Sequence, residues 1–398
     1  MERTQRARVV RDLEKKIVFL VGPRQVGKTW LARDIGREFR NPLYLNCFHL
    51  ADRRVIRDEA WLGSTDLLIL DEIHKMKEWK VFLKGVFDTR PESLRILVTG
   101  SARLDFLRQG GPSLAGRFFT HRLMPFSPAE VAAAPAEGAA APAEGAAAPA
   151  EGAGAPAGGA AAADLGRFLV RGGFPEPFLA ERDEDADRWR AQYIDGLVRE
   201  DVLDFERIHD LRSLQLVIEL LRDRVGTPVS YQSLAEDVGV APNTIRKYVS
   251  ILEALYVVFR VTPWSRDVAR SLLKNPKLYF FDGGLVRGGD GPRFENLVAV
   301  CLLKHVLGEA DRTGRDHRLH YIRTKDGREV DFCVVADGRP ESLVEAKAAE
   351  ADADRSLARF AATLGVRGVQ VVRDLRREHR AGDVEVRAAA PFLRSLSL

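Results

Sequence analysis

The period of apolar residues changes several times along the chain, and each change predicts an element. Lys16–Val21 is a short apolar run, Trp30–Phe39 repeats at helical spacing, and Leu43–Asn46 is strand-like again. Leu67–Leu70 and Arg95–Thr99 are further unbroken apolar runs of strand length. Strands that alternate with helices predict a parallel sheet covered on both faces. Asp187–Val225 carries apolar residues three and four apart and reads as helix-rich. The C-terminal quarter returns to mixed elements. A helix is expected at Arg293–Leu307, strands at Leu319–Thr324, Glu329–Val335 and Leu343–Lys347, then a helix at Ser356–Leu364 and a strand at Gly368–Val372. Asp326-Gly327 predicts a two-residue hairpin turn and Ala336–Pro340 a second turn. The order αβββαβ marks a separate α/β unit.

Val131–Ala163 breaks both periods. It repeats AAAPAEG, with Pro135, Pro142, Pro149 and Pro156 seven residues apart and no large apolar side chain after Val131. Alanine alone makes no coiled-coil seam, and each repeat carries a helix-breaking proline. Such a segment cannot bury enough surface to offset its ordering entropy, so it is expected to be a disordered insertion without chemistry.

Composition narrows the class. The chain has 398 residues, room for two or three domains at roughly 150 residues each. Apolar residues at 45% and charged residues at 30% fit a globular protein with ample core. The apolar run around Ile17–Val21 is too short for a bilayer span, and Met1–Arg11 lacks the apolar centre of a signal peptide. Cys47, Cys301 and Cys333 fit neither a disulfide framework nor zinc-ligand spacing. A reducing, cytoplasmic location with no membrane partner is expected. The net charge of +4 does not by itself announce a nucleic-acid partner. Arginine dominates the basic residues of a chain rich in alanine and glycine, as GC-rich coding produces, so arginine counts are discounted.

The segment Gly22-Pro23-Arg24-Gln25-Val26-Gly27-Lys28-Thr29 follows a strand and opens a helix. That context lets backbone N–H groups and a helix N-terminus cradle phosphates, with Lys28 reaching the β- and γ-phosphates and Thr29 offering a hydroxyl to Mg²⁺. Asp71, ending the apolar run Leu67–Leu70, is placed to hold that Mg²⁺, and Glu72 to act as general base on the attacking water. Thr99 or Ser101, at the end of the next strand, is expected to sense the γ-phosphate. Arg117, on a glycine-containing bend, is a candidate finger for a neighbouring subunit's nucleotide, with Arg103 its rival.

Thr227–Leu255 has helix-turn-helix spacing. Ser233 is expected to cap a first helix, Gly239 to make the turn, and Asn243–Leu255 to form the second, with Tyr256–Val261 opening a wing. Asn243, Thr244, Arg246 and Lys247 lie on its first turn, where base or phosphate contacts are made.

In the C-terminal unit Glu345 and Lys347 are two apart on a strand and face one side. Asp331 can join them from the neighbouring strand and Glu295 from the helix. This set resembles the PD-(D/E)XK nuclease fold, although Val330 stands where a proline usually precedes the first carboxylate. The resemblance implies that Asp331 and Glu345 coordinate a second Mg²⁺ and that Lys347 orients or activates the water attacking a phosphodiester. Because such folds persist without activity, a binding module that cuts nothing is the favoured expectation.

GPRQVGKT, LLILDEIHK, LVTGSARLD, LAGRF, MPFSPAE and GGFPEP occur in this order. Together they resemble the bacterial and archaeal AAA-type ATPases that carry a C-terminal domain of uncertain role. The expectation is an α/β protein with a P-loop ATPase core (1–130), the insertion (131–163), a helical lid (164–224), a winged helix-turn-helix with connector (225–290) and a nuclease-like domain (291–398). It would bind and hydrolyse ATP with Mg²⁺, assemble as a homo-oligomer such as a ring, and act on DNA. The alternatives are an ATP-dependent signalling switch whose C-terminal half binds protein, and an ATP-gated Mg²⁺-dependent nuclease.

Overall fold

Five short strands of the N-terminal region pair in parallel in a computed structural model that describes residues 3–100, 114–132, 157–198, 210–265, 275–350 and 352–396. They are β1 (Ile17–Val21), β2 (Pro42–Asn46), β3 (Leu67–Asp71), β4 (Arg95–Gly100) and β5 (Phe118–Arg122), in the spatial order β2-β3-β4-β1-β5. β1 and β3 are buried along their whole length, which is why they read as unbroken apolar runs rather than alternating ones. One face packs Val18, Leu20, Ile69 and Leu97 against α1 (Arg6–Leu13) and α2 (Lys28–Gly36). The other packs Ile17, Phe19, Leu70 and Val98 against α3 (Leu50–Arg57) and α4 (Trp79–Thr89). The chain then passes through α5 (Pro128–Ala132).

The expected insertion is shorter than its composition indicated. Residues 157–163 begin α6 (Ala157–Arg171), because alanine is the best helix former and the run leads into buried Leu165, Phe168 and Leu169. Residues 133–156 lie outside the described residues, as do Ser101 and Arg103. The helices continue as α7 (Pro175–Leu179), α8 (Asp183–Gly196) and α9 (Leu211–Arg222). A helix pair follows, α10 (Tyr231–Val238) and α11 (Pro242–Ala254). Ser230, not Ser233, caps α10, its Oγ accepting from the Ser233 amide at 3.3 Å. Gly239 ends that helix in the left-handed region at φ 76°.

Beyond the pair lie β6 (Val258–Pro263), β7 (Lys277–Phe280), α12 (Asp290–Thr313), β8 (His317–Arg323), β9 (Glu329–Ala336) and β10 (Arg339–Lys347). The chain ends with α13 (Arg355–Leu364), β11 (Arg367–Val372), β12 (His379–Ala381), β13 (Val384–Ala388) and α14 (Ala389–Ser395). One sheet holds all eight strands in the order β12-β13-β11-β10-β9-β8-β6-β7. β6 and β7 therefore share a sheet with strands that lie beyond residue 290. β6 pairs antiparallel with β7, and its Thr262 and Pro263 lie in parallel register with His320 and Tyr321 of β8. A strand's exposed amides and carbonyls demand partners, and the C-terminal sheet supplies them. The Asp326-Gly327 turn also differs from expectation. Thr324 N donates to Arg328 O at 2.9 Å and Gly327 N to Thr324 O at 3.2 Å, with Gly327 at φ 84°, so the loop has three residues and a left-handed glycine.

Buried ions tie the parts together. Glu130 of the MPFSPAE segment lies between Arg3 and Lys304 of α12, and Arg190 of α8 donates to Asp282 at 3.0 Å. Among the described residues no helix is long and apolar enough to cross a membrane.

Candidate functional site

The phosphate loop leaves β1 at Gly22, where a Cβ would come within 2.1 Å of Leu123 O, and only glycine fits that approach. Gln25 and Gly27 take positive φ of 58° and 96°, and the loop feeds directly into α2. Lys28 is 6% exposed and its Nζ donates to Gly22 O at 3.1 Å and to Pro23 O. Burial pushes this amine down to about 8, against the opposing pull of Glu72 and Asp71.

Asp71 ends β3 and accepts from three hydroxyls. Thr29 Oγ1 donates to its Oδ2 at 3.0 Å, Tyr44 OH donates to the same oxygen, and Thr99 Oγ1 donates to Oδ1. Burial and then Asp71 hold Tyr44 up at about 12, so it stays a phenol donor. Thr99, one of the two residues expected to sense the γ-phosphate, is fully buried and donates to Asp71. Glu72, in the left-handed region at φ 57°, sits with His74 Nδ1 3.2 Å from its Oε2. A cavity of about 670 Å³ is lined by Arg24, Gln25, Lys28, Thr29 and Glu72 on one side and Pro175 of α7 on the other. A volume of this order suits a nucleotide-sized ligand. Helix α8 touches the loop itself, since Trp189 Nε1 donates to Gln25 Oε1 at 2.7 Å.

Tyr44, His74 and Trp189 were missed in the sequence. Tyr44 had a faint signal, being polar-tipped on a strand whose register sets it beside Ile69, two residues before Asp71. Trp189 had none, lying 164 residues from Gln25. The hydroxyl of Thr29 and the carboxylate of Asp71, already in contact, are an oxygen set suited to Mg²⁺.

Arg117 stands where β5 begins, its carbonyl accepting from Ile17 N at 3.0 Å. That is the opposite end of β1 from the phosphate loop, roughly 16 Å away along a five-residue strand. Its guanidinium pairs with Asp88 at 2.7 and 3.0 Å, so it does not serve its own chain's Lys28 site. On α11, Asn243, Arg246 and Lys247 are exposed and Thr244 is half-buried, while Ile245, Tyr248, Val249 and Leu252 fill the core.

In the C-terminal sheet the backbone N of Asp331 donates to Glu345 Oε2 at 3.1 Å, and Ala346 N to Asp331 Oδ2 at 3.1 Å. Lys347 Nζ lies 3.1 Å from Glu345 Oε1, and burial and Asp331 push the Glu345 carboxyl up to about 8. Glu295 reaches the same place from α12, but through a residue outside the expected set: Lys277 Nζ lies 3.3 Å from Glu295, 2.7 Å from Glu329 and 3.0 Å from Asp331. Of the two carboxylates expected to hold a second Mg²⁺, Asp331 thus meets the Lys277 ammonium and Glu345 the Lys347 ammonium. Among the described residues no group of three or more His, Cys, Asp or Glu is arranged to hold a metal ion.

Residues 14–132 match the family model described as an AAA domain. This part of the chain is similar to AAA domains. Beside it, residues 162–288 and 290–391 match two models each described as a domain of unknown function. An uncharacterized protein of Mycobacterium tuberculosis is 27% identical over 348 residues, covering 84% of this chain and 71% of its own. An uncharacterized protein of Methanocaldococcus jannaschii is 22% identical over 368 residues, covering 85% and 78%. Among solved structures, a Thermotoga maritima RuvB variant aligns at TM-score 0.30 and 17% identity, covering 64% of this chain and 88% of that one. A signal transduction ATPase with numerous domains from Pyrococcus horikoshii aligns at TM-score 0.23 and 13% identity, covering 79% and 48%.

Proposed function

We propose that this chain hydrolyses ATP in its AAA-type domain and uses that turnover to rearrange a homo-oligomer, such as a ring, on DNA. The observation that carries the reading is Asp71, held by three hydroxyls, one of them from Thr29, which lines the cavity together with Lys28 and Glu72. Lys28 clamps the β- and γ-phosphates as a cation, and exposed Trp30, Phe48 and Leu179 flank the cavity with apolar surface for a base. Bound magnesium neutralises charge on the β- and γ-phosphates, and Thr29 and Asp71 are the residues that would hold it. Glu72 takes a proton from the attacking water. A bond forms from the water oxygen to the γ-phosphorus, the bond to the β–γ bridging oxygen breaks, and ADP keeps the electron pair. Thr99 and Tyr44 position Asp71. Arg117 completes the neighbouring subunit's site in trans, and Asn243, Thr244, Arg246 and Lys247 present the α11 N-terminal turn to DNA.

The test is ATP turnover with and without single-stranded, duplex and branched DNA. Stimulation by any of them supports the reading. Turnover indifferent to DNA favours an ATP-dependent switch whose C-terminal half binds protein, and Mg²⁺-dependent nicking would restore the ATP-gated nuclease. For Arg117, chains carrying Arg117→Ala and chains carrying Lys28→Ala should each be inactive and should regain turnover when mixed. No recovery in mixtures that co-assemble assigns Arg117 to its Asp88 pair alone and leaves Arg103 as the candidate.

A further inference from the structure

The carboxylates of the C-terminal sheet come from two elements that meet at one amine. Glu295 projects from α12, Glu329 and Asp331 from β9, and Lys277 enters from β7 at the sheet edge. The Lys277 side chain is 1% exposed and its three carboxylate contacts span 2.7 to 3.3 Å. Glu295 is held from behind: Tyr279 OH donates to its Oε1 at 2.7 Å. Gly226 closes over it, since a Cβ there would stand 2.5 Å from Glu295 Oε2. Arg323 adds a second cation to Glu329 at 2.7 Å. Three formal negative charges therefore face two positive ones. Without Lys277 the imbalance is two charges, which a divalent ion would neutralise.

We propose that Lys277 is a built-in cation standing where a divalent ion would otherwise be held, so that the C-terminal sheet keeps nuclease-like carboxylates as a metal-free ionic lock. The lock joins β7, α12 and β9. It requires no metal and engages both oxygens of Asp331, Oδ1 with Lys277 and Oδ2 with the Ala346 amide. The reading is independent of the ATPase assignment, because Lys277 and its partners lie in the other sheet.

The oxygen shell also indicates which ion would replace the lysine. Three carboxylates converging on one point offer the flexible, many-oxygen shell that Ca²⁺ takes rather than the near-ideal, largely hydrated octahedron of Mg²⁺. Tb³⁺, a hard oxygen-seeking ion of similar size to Ca²⁺, is therefore the probe. Tyr279 and Tyr321, whose ring centroid lies 5.6 Å from Nζ, sit close enough to sensitise its emission.

The experiment uses the full chain without nucleotide, carrying Asp71→Asn so that the phosphate site contributes no binding. The expected result is no saturable tyrosine-sensitised Tb³⁺ emission from the chain with Lys277. Lys277→Met should gain one saturable site, competed by Ca²⁺, and adding Asp331→Asn should abolish it. Saturable emission that depends on Asp331 while Lys277 is in place overturns the proposal, and so does a folded Lys277→Met chain that gains no site. Should Lys277→Met fail to fold in chelator, Ca²⁺ must restore its folding, because the ion replaces the missing charge; no restoration counts against the lock.

Discussion

Both sheets gather carboxylates near a lysine, yet they hold them by opposite means. In the N-terminal sheet Asp71 is held by the neutral hydroxyls of Thr29, Tyr44 and Thr99, and Lys28 rests on backbone carbonyls instead. The carboxylate and the ammonium are each positioned but not spent on one another. In the C-terminal sheet Lys277 contacts Glu295, Glu329 and Asp331 directly. Neutral donors orient a carboxylate and leave its charge available to an incoming cation, whereas a buried ammonium consumes that charge. The difference separates a site built to exchange ligands from one built to stay closed.

The largest expected effects break the open site. Lys28→Ala should lower ATP turnover by roughly a hundredfold or more, in line with the loss of a preorganised charge at a developing anion. Its melting temperature should stay near the parent's, because Lys28 contacts only carbonyls of its own loop. A variant that turns over ATP at the parent rate would falsify the phosphate-loop assignment. Glu72→Gln keeps Asp71 and its hydroxyls while removing the base. Turnover should fall by about 10²–10⁴-fold with nucleotide still retained, which equilibrium binding and single-turnover measurements check together. Weakened binding with fast residual turnover would reverse the roles given to these two residues.

Breaking the closed site should show in stability instead. Lys277→Ala leaves two negative charges uncompensated among three half-buried carboxylates and should cost about 3–5 kcal/mol, read from denaturant unfolding in chelator. Tyr44→Phe should cost only about 1 kcal/mol, one hydrogen bond to a carboxylate that keeps two other donors. If the two substitutions cost the same, the contrast between neutral and ionic support is wrong.

The smallest effect is a pH dependence that opposes the two lysines. Burial holds Lys28 at about 8, below its ordinary 10.5 in the unfolded chain. The unfolded chain therefore binds more protons between those values, and this lysine's contribution to stability rises with pH across that window. Lys277 is shifted the other way: burial opposes its charge, but Asp331, Glu295 and Glu329 outweigh it and raise it well above the ordinary value. Its stabilisation is complete below 10.5 and is lost only as pH rises beyond that toward the raised value. Phosphates require the Lys28 ammonium, so nucleotide affinity should fall as pH rises past 8, by up to about tenfold per unit. Calorimetric titrations from pH 7 to 9.5 measure it, and a flat profile would show that Lys28 is charged throughout.

Local spacing was enough to read much of this protein. Gly22 to Thr29 after an apolar run, and Asp71-Glu72 ending the next, place a phosphate loop and its acidic partner, because strand length and turn geometry act over a few residues. The same holds for the two-residue separation that puts Glu345 and Lys347 on one side of β10. Composition misled at the edge of the insertion, where alanine between prolines looked structureless but entered α6 once apolar residues followed. Partners brought together by folding had no such signature. Lys277 is 54 residues from Asp331, Trp189 is 164 from Gln25, and β6 joins a sheet expected to begin after residue 290. A lysine in sequence is a solvated cation by default; only burial at 1% exposure beside three acids makes it a counter-ion. The chain alone determined which groups can do chemistry. The tertiary structure decided which charges remain free to do it, because desolvation and pairing depend on residues that only folding makes neighbours.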